Sequence, residues 1–429
     1  MTETRLPLAD ATLVQARAAD LRVVMAVSAA HFVSHYYILA LPPVFEMVRA
    51  SFAVSYTELG LALVVFNLMC AAFQTPAGIL ADRIGARRVL VFGLAAGGLA
   101  LAGAGLVGSF WLFVVLFGLG GLANSVYHPA DYAALSERVS SERIGRAYSI
   151  HTFAGMMGGA VAPPAMLLLE SQIGWRGAFL ASALPGLALA LWLAVAGRGL
   201  LPEARHRPAA PPAAAPGGPG SVSPSVSPSG SASGSASGSV RLLTSPVILL
   251  NFVFFALFAV FQLGLQSYSA VALTAAHGLP LSAASLALTA YLLLSAIGVL
   301  LGGLPVDRVS PTLITVAGML VVAVCTAALG LASLGTVGAV LLLGLAGLAG
   351  GMAMPARDMI VRAVTPPGAF GKVFGFVTTG FNLAGVAGPL IFGLLMDHGM
   401  PGGVFLVVAG ACLLSIATVF GGRASAVPR

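Results

Sequence analysis

The chain has 429 residues, of which 58% are hydrophobic and only 8% are charged, and its mean hydropathy is +0.98. This composition excludes a water-soluble globule, because so few polar side chains cannot cover its surface, and it places the chain in a lipid bilayer. The formal net charge of +7 does not indicate binding to nucleic acid, since the basic residues are scattered over short loops without interleaved aromatic residues.

Apolar runs of roughly 20 residues, the length that crosses a hydrocarbon core, recur about twelve times. They are centred near residues 32, 68, 98, 121, 157, 187, 258, 293, 322, 346, 384 and 411. The first run ends at Pro42-Pro43 without a small-residue cleavage site, so we expect a retained helix and not a signal peptide. If the N-terminus is cytoplasmic, all 21 Lys and Arg except Arg49 and Arg176 fall on the cytoplasmic side. The sequence therefore predicts a multi-pass protein of a bacterial cytoplasmic (inner) membrane with both termini in the cytoplasm.

The apolar runs fall into two groups of six, separated by a segment of almost only Pro, Ala, Gly and Ser. Such a segment cannot bury a core, so we expect a disordered cytoplasmic linker. The predicted units are an N-terminal tail, a first six-helix half, the linker, a second six-helix half and a C-terminal tail, at residues 1–20, 21–200, 201–243, 244–422 and 423–429.

The second half repeats the first at an almost constant offset. The segment Gly121-Leu122-Ala123 recurs 226 positions later as Gly347-Leu348-Ala349, and His128-Pro129-Ala130 recurs as Met354-Pro355-Ala356. A fainter match, at an offset of 225, relates Gly78 and Asp82-Arg83 to Gly303 and Asp307-Arg308. Two equivalent halves made of long apolar helices indicate a secondary transporter that rocks one half against the other.

The loop after the second predicted helix carries the most specific motif. It reads Gly78-Ile79-Leu80-Ala81-Asp82-Arg83-Ile84-Gly85-Ala86-Arg87-Arg88, in which glycine permits close helix approach and the acid can cap a helix N-terminus. This loop resembles the signature of the major facilitator superfamily. The resemblance implies an all-α membrane protein with twelve transmembrane helices in two pseudo-symmetric six-helix halves. It also implies gating roles for the motif and its echo, at Gly78, Asp82, Arg83, Gly85, Arg87, Asp307 and Arg308.

Four shorter segments resemble the fosmidomycin-resistance type of efflux protein. They are His31-Phe32, Leu41-Pro42-Pro43, Ser55-Tyr56-Thr57-Glu58-Leu59-Gly60 and Tyr127-His128-Pro129. Drug antiporters of the superfamily usually carry an arginine in helix four, yet none lies between Ser109 and Ala134. Their glycine-proline motif in helix five is present only in altered form, as Gly155, Gly159, Pro163 and Pro164. These departures keep both efflux and uptake open.

Ionisable side chains inside apolar helices are costly and indicate functional sites. His31 and His35 lie one turn apart on one helix face, where they are candidates to bind an anion, carry protons or ligate a metal, or to hydrogen-bond a neighbouring helix. The full set of candidate substrate-binding or proton-coupling residues is His31, His35, Tyr36, Asn124, Tyr127, His128, His151, Gln262, Gln266, Tyr291, Thr378 and Asn382. The amides and hydroxyls among them suit a mostly apolar pocket or interhelical hydrogen bonds.

Asp131 and Arg357 occupy equivalent positions of the two halves and carry opposite charges. We expect them to form an ion pair that closes the cytoplasmic gate, with local pairing of Arg357 to Asp358 as the alternative. Asp358 completes the set of candidate gating residues.

The chain contains no phosphate-binding loop, nucleophile motif or metalloprotease helix, so we expect neither an enzyme nor a resident cofactor or metal. The sequence predicts a secondary active transporter, monomeric in the bilayer, that exports a small organic molecule in exchange for protons. The alternatives are proton-coupled uptake of a small organic anion, transition-metal transport through histidines and methionines such as Met354, and a membrane sensor that moves no substrate.

Overall fold

The computed structural model describes residues 8–54, 56–201, 236–305 and 308–426. Within these ranges, eleven helices are long and apolar enough to cross a membrane. The longest, Ile144–Val195, has 52 residues and breaks at Gly174, where φ is 70° and ψ is 164°. A straight helix of that length would extend about 78 Å, more than twice the hydrocarbon thickness, so this segment supplies two spans. The described chain therefore holds the twelve predicted transmembrane helices.

The first half runs from α1 to α7. Its helices are α1 Leu8–Ile38, α2 Phe45–Phe52, α3 Tyr56–Ile84, α4 Ala86–Leu106, α5 Phe110–Asn124, α6 Tyr127–Arg138 and α7 Ile144–Val195, with a short 3-10 turn at Pro42–Val44. The fourth span is divided between α5 and α6, which meet at Ser125 and Val126. Pro129, which lacks an N–H group, lies in the first turn of α6, where that group has no helical partner in any case.

The second half runs from α8 to α15. Its helices are α8 Ala236–Leu243, α9 Pro246–Leu263, α10 Ser269–His277, α11 Leu281–Gly302, α12 Pro311–Leu331, α13 Thr336–Val364, α14 Phe370–Asp397 and α15 Pro401–Ala426. A π-helical turn, Gly264–Tyr268, joins α9 to α10 within one span. Large apolar side chains such as Leu99, Leu191 and Leu341 are more than 60% exposed on the outside of the bundle, as the lipid environment requires.

Every predicted helix centre falls inside an observed helix, and the predicted all-α membrane fold is confirmed. The predicted boundaries differ in three places. Helix α1 begins inside the predicted N-terminal tail, α8 occupies the last eight residues of the predicted disordered linker, and α15 continues to Ala426. Helix α8 contains Val240, Leu242 and Leu243, so large apolar side chains are closer together here than elsewhere in the predicted linker. Linker residues 202–235 lie outside the described residues.

The two halves contact each other through equivalent positions. Tyr132 of α6 donates a hydrogen bond to Asp358 of α13, and Arg362 donates to the carbonyl oxygen of Ser136, each across an interval of 226 residues. An interval equal to the repeat offset means that the pseudo-two-fold axis passes between α6 and α13 at this level. These contacts lie near a groove lined by Arg17, Arg143, Arg146 and Arg308, and we call this end of the bundle the basic end.

Two further contacts at the basic end are related by the same axis. A Cβ atom added to Gly78 of α3 would overlap the carbonyl oxygen of Gly371 of α14. A Cβ added to Gly303, just after α11, would overlap the Ser149 side chain of α7, whose hydroxyl donates to the carbonyl of Val299. At Gly78 glycine is required because the backbones of α3 and α14 approach too closely for any side chain, whereas at Gly303 the Ser149 side chain occupies the space that a methyl group would need.

We therefore expect Gly78→Ala to force α3 and α14 apart and to open the basic end. Gly60→Ala on the same helix is the matched control, because it adds the same methyl group, with the same gain in helix propensity, where nothing lies within 4 Å. A reporter Ser149→Cys, in a background with the three native cysteines replaced by alanine, should react with a maleimide at least about fivefold faster in Gly78→Ala. Equal labelling rates in the two variants would show that this contact does not hold the end shut.

Candidate functional site

A cavity of about 250 Å³ lies between the two halves. Side chains from α1, α3, α5, α6 and α7 line it on one side, and side chains from α9, α13 and α14 line it on the other. It is slightly smaller than the pockets of about 300–1,000 Å³ that hold drug-sized ligands, so it suits a small solute.

More than half of the candidate binding residues meet in this cavity. Those that line it are His31, His35, Asn124, His128, Gln262, Thr378 and Asn382. Asn124 also ties the wall together, since its amide oxygen accepts a 2.9 Å hydrogen bond from Ser34 and its NH₂ group lies 3.7 Å from the Cys70 sulfur.

The other candidates lie outside the cavity wall. The Tyr36 hydroxyl is 2.9 Å from the Ser182 hydroxyl, a link between α1 and α7, and Tyr127 is buried against α4. Gln266 is exposed on the π-helical turn, and Tyr291 is buried within the second half. In these cases the sequence placed a polar residue on the correct helix but did not fix which way it faces.

Gln74 lines the cavity but was not among the candidate binding residues, because little besides its polarity marks it in the sequence. Gln74 of α3 is only 2% exposed, and its NH₂ group donates to the Thr378 hydroxyl at 2.6 Å while its carbonyl oxygen accepts from Asn382 at 2.6 Å. A glutamine in an apolar run next to Thr75-Pro76 was the available signal. Gln74 joins α3 to α14 and closes the cavity between the two halves.

The histidines form a compact cluster. The ring centroids of His31 lie 4.6 Å from His35, 5.1 Å from His128 and 4.0 Å from His151. The Nδ1 atom of His31 is 2.9 Å from the carbonyl oxygen of His151. His151 itself is fully buried behind His31 and does not line the cavity, which differs from its predicted position.

Asp131 lies behind this cluster. Its carboxylate is fully buried, is 3.9 Å from Nε2 of His151, and has no hydrogen-bond partner among the described residues. A buried carboxylate without hydrogen bonds is costly in the charged form, so Asp131 and His151 together are suited to hold one proton.

The predicted ion pair between Asp131 and Arg357 is wrong for this conformation. Arg357 instead pairs with its neighbour Asp358, at 3.0 Å from Nε and 2.9 Å from Nη2 to Oδ1. Successive helix residues point about 100° apart, so Tyr132 and Asp358 face each other across the axis while Asp131 is directed towards α7. The local pair of Arg357 with Asp358 is the alternative given above, and the contact between equivalent positions is a hydrogen bond one residue further along, from Tyr132 to Asp358.

Arg357 is the cation of the cavity wall. Its guanidinium carbon lies 4.3 Å from the ring centroid of Phe255, 4.8 Å from Phe258 and 5.2 Å from Phe381. The second carboxylate oxygen of Asp358 accepts the Tyr132 hydroxyl at 2.8 Å. A guanidinium has five N–H groups and Asp358 uses two of them, so donors remain for a ligand in the cavity.

The signature loop links the halves at the basic end. The Asp82 carboxylate accepts the backbone N–H groups of Gly371 at 2.7 Å and Lys372 at 2.9 Å, and it therefore caps α14 across the interface. Gly85, with φ of 93°, is the single residue between α3 and α4.

The arginines of the motif act elsewhere. Arg87 donates to the carbonyl oxygens of Leu193 and Ala194 at the end of α7, whereas Arg83 and Arg308 are exposed. Asp307 lies outside the described residues.

Two equivalent helical halves around a shared cavity are typical of a membrane transporter. The chain belongs to the major facilitator superfamily, whose family model matches residues 27–272 and 254–428.

Three curated proteins show the range of relatives. The chain is 24% identical to the fosmidomycin resistance protein of Escherichia coli K12 over 98% of both chains. It is 31% identical to a probable L-galactonate transporter of the same organism over 34% of this chain and 32% of that protein. It is also 31% identical to the probable sulfoacetate transporter SauU of Cupriavidus necator over 31% of each chain. The chain thus matches about a third of the length of the last two.

Solved structures share the fold. FucP in the outward conformation superposes with a TM-score of 0.71 at 14% identity, covering 96% of this chain and 100% of that one. The proton:xylose symporter XylE bound to 6-bromo-6-deoxy-D-glucose gives a TM-score of 0.70 at 14% identity, covering 94% and 96%.

Replacing Asp82 tests the cap on α14. Asp82→Asn removes the charge and one of the two acceptors, and hydrogen bonds to charged groups contribute about 1.5–3 kcal/mol. We expect turnover to fall by about tenfold or more while substrate affinity changes less than about twofold, because Asp82 does not line the cavity. The control is Arg83→Gln, at the exposed neighbouring position. Loss of binding with an unchanged exchange rate would contradict this role.

Replacing Tyr132 tests the contact on the axis. Tyr132→Phe keeps the ring, which stacks on Phe374 with centroids 4.2 Å apart, and removes only the hydroxyl that reaches Asp358. Labelling of the Ser149→Cys reporter should rise about tenfold, as expected from about 1.4 kcal/mol. Tyr148→Phe removes a similar hydroxyl whose 2.6 Å bond to Ser136 stays within one half, and it should leave labelling unchanged. The same response in both variants would assign the effect to general loosening.

Proposed function

We propose that this protein is a proton-coupled secondary transporter of small organic anions that works by alternating access. The observation that carries this proposal is Arg357, a guanidinium only 4% exposed in the wall of a cavity shared by both halves. The facing wall offers imidazoles and amides, which can donate hydrogen bonds to carboxylate or sulfonate oxygens. Galactonate and sulfoacetate, named for two relatives, are ligands of this chemistry.

The basic end is the cytoplasmic end in this proposal, since basic loops favour that side. The contacts that close it, from Gly78 to Gly371 and from Tyr132 to Asp358, then correspond to a conformation shut towards the cytoplasm. Reopening must break these contacts together with the packing of α14 against α3 and α6 and of α11 against α7.

Binding of an anion would weaken the contacts that close the basic end. A substrate that draws Arg357 away from Asp358 leaves this buried carboxylate with only the Tyr132 hydroxyl. The negative charge of Asp358 is then only partly balanced, and its contact with Tyr132 of the other half is weakened. Substrate binding and gate opening would be coupled through two adjacent residues of α13.

Protons enter through the histidine cluster and Asp131. His35 and His128 line the cavity, His31 connects them to His151, and His151 contacts Asp131. This chain of titratable groups leads from the cavity into the first half, so its protonation can follow substrate occupancy.

We propose export in exchange for protons as the direction of transport. The support is the similarity over 98% of both chains to a protein named for resistance, whereas the two anion transporters match only about a third of their length. Uptake with protons is the second candidate, favoured by the chemistry of those two relatives and by the absence of arginine from α5 and α6 before Arg138.

Proteoliposomes loaded with a pH-sensitive dye test the function and its direction. A panel of small carboxylates and sulfonates, with neutral polyols as controls, is added on one side, and the sign of the resulting pH change separates exchange from co-transport. Responses confined to neutral solutes would overturn the proposal.

The decisive variant is Arg357→Gln. It should suppress the response to anions, with at least about a thirtyfold loss of apparent affinity, because a buried charge-assisted contact contributes about 2–5 kcal/mol. Arg176→Gln removes the same charge near the opposite end, where Arg176 binds the carbonyl oxygens of Gly105 and Val107, and it should retain transport. An anion response that survives Arg357→Gln would place the anion site elsewhere.

A further inference from the structure

Three imidazoles from two helices converge at one edge of the cavity. His31 and His35 come from consecutive turns of α1, and His128 comes from the first turn of α6. One ring nitrogen from each lies within 4.8 Å of the other two. We propose that these histidines form a binding site for a transition-metal ion of the Zn²⁺ class, opening onto the cavity.

The tautomer of His31 suits a metal ligand. A carbonyl oxygen can only accept, so the 2.9 Å contact between Nδ1 and the His151 carbonyl places the proton on Nδ1. Nε2 therefore carries a free lone pair. A histidine that donates one nitrogen to a carbonyl and presents the other to a metal is the usual arrangement of metal-ligating imidazoles.

The ring nitrogens that lack hydrogen-bond partners also support a metal ion as the ligand. Nε2 of His31, Nε2 of His35 and Nδ1 of His128 are buried and have no hydrogen-bond partner among the described residues. Three buried polar atoms without partners are costly, and most buried polar atoms in folded proteins are satisfied. A single metal ion would bind one nitrogen of each ring at once. No described residue of the cavity wall hydrogen-bonds to these three nitrogens.

The three ring nitrogens must move closer together to bind one Zn²⁺ ion. Zn–N bonds of about 2.0–2.1 Å in a tetrahedral site separate the nitrogens by about 3.3–3.4 Å. The present spacing of up to 4.8 Å is wider, and rotation of the side chains closes the difference. His35 and His128 are only partly buried because they face the cavity, which leaves them space to turn.

Three protein ligands leave a fourth position open towards the cavity. A water molecule or a carboxylate can fill it, as in zinc sites with three protein ligands. The charged and titratable groups around the cluster are His151 of α7, Asp131 and Tyr132 of α6, and Arg357 of α13. Asp131 favours a cation, and the charge of Arg357 is offset by Asp358.

Isothermal titration of Zn²⁺ into the purified full chain, prepared without a polyhistidine tag and stripped with a chelator, tests the site. We expect one ion per chain at pH 7.5. Binding should be at least about tenfold weaker in His35→Gln and in His128→Gln. It should also weaken at pH 5.5, because protons compete for the ligand nitrogens. No substrate is present, so the outcome is independent of the proposed transport function.

Two histidines outside the cluster provide matched controls. His277→Gln removes a ring whose nitrogens are both bonded to backbone atoms, and His398→Gln removes an exposed ring. Both should retain wild-type binding. A wild-type protein that binds no ion, or cluster variants that bind as tightly as these controls, would overturn the proposal.

A measurement on the wild-type chain covers the case in which the variants fail to fold. Pulsed electron paramagnetic resonance of bound Cu²⁺ counts the coordinated imidazoles through their remote nitrogens. Two or three imidazoles are expected. None or one would show that the ion lies elsewhere.

Discussion

Several hydrogen bonds restrain the two halves against each other, and the one nearest their symmetry axis is the bond from Tyr132 to Asp358. It joins equivalent positions, so it lies where the pseudo-two-fold axis crosses the interface. A single contact on that axis involves the same position of each half, so it restrains both halves equally. The close approaches at Gly78 and Gly303 lie on either side of it and are related by the same symmetry. A buried hydrogen bond to a carboxylate contributes about 1.5–3 kcal/mol, and here it acts together with the hydrogen bonds from α14 to Asp82.

The same contact connects the gate to the cavity. Asp358 accepts from Tyr132 with one oxygen and from Arg357 with the other, and Arg357 lines the cavity. A ligand that binds the guanidinium would therefore change the electrostatic environment of the Tyr132–Asp358 contact, whose tyrosine also lines the cavity. A ligand can shift a two-state equilibrium only by its difference in affinity for the two states. Competition between substrate and Asp358 for Arg357 provides such a difference.

The helices and their repeat could be predicted from the sequence because length and hydrophobicity suffice for both. The contact between equivalent positions could be predicted only to within one residue, and its role as a gate stays a prediction. The offset identified the correct helices, but the choice between Asp131 and its neighbour depends on rotation about the helix axis, about 100° per residue, which an apolar helix does not reveal. Opposite charges at equivalent positions favoured Asp131 and Arg357, whereas the structure uses a tyrosine, Tyr132, whose hydroxyl gave no signal among many aromatic residues.

The arrangement of the cavity residues was also only partly predictable from the sequence. In addition, the two halves contribute different chemical groups to the cavity. The spacing of His31 and His35 predicts a shared face, but their meeting with His128 depends on how α6 packs against α1, which no local pattern contains. Once assembled, the first half holds the titratable imidazoles and the second half holds Arg357 with the amide of Asn382. Rocking one half against the other therefore changes the distance between the imidazoles and the guanidinium. In such an arrangement, charge on one wall acts on charge on the other through electrostatics, and this interaction is strongest when the cavity is narrowest and least hydrated.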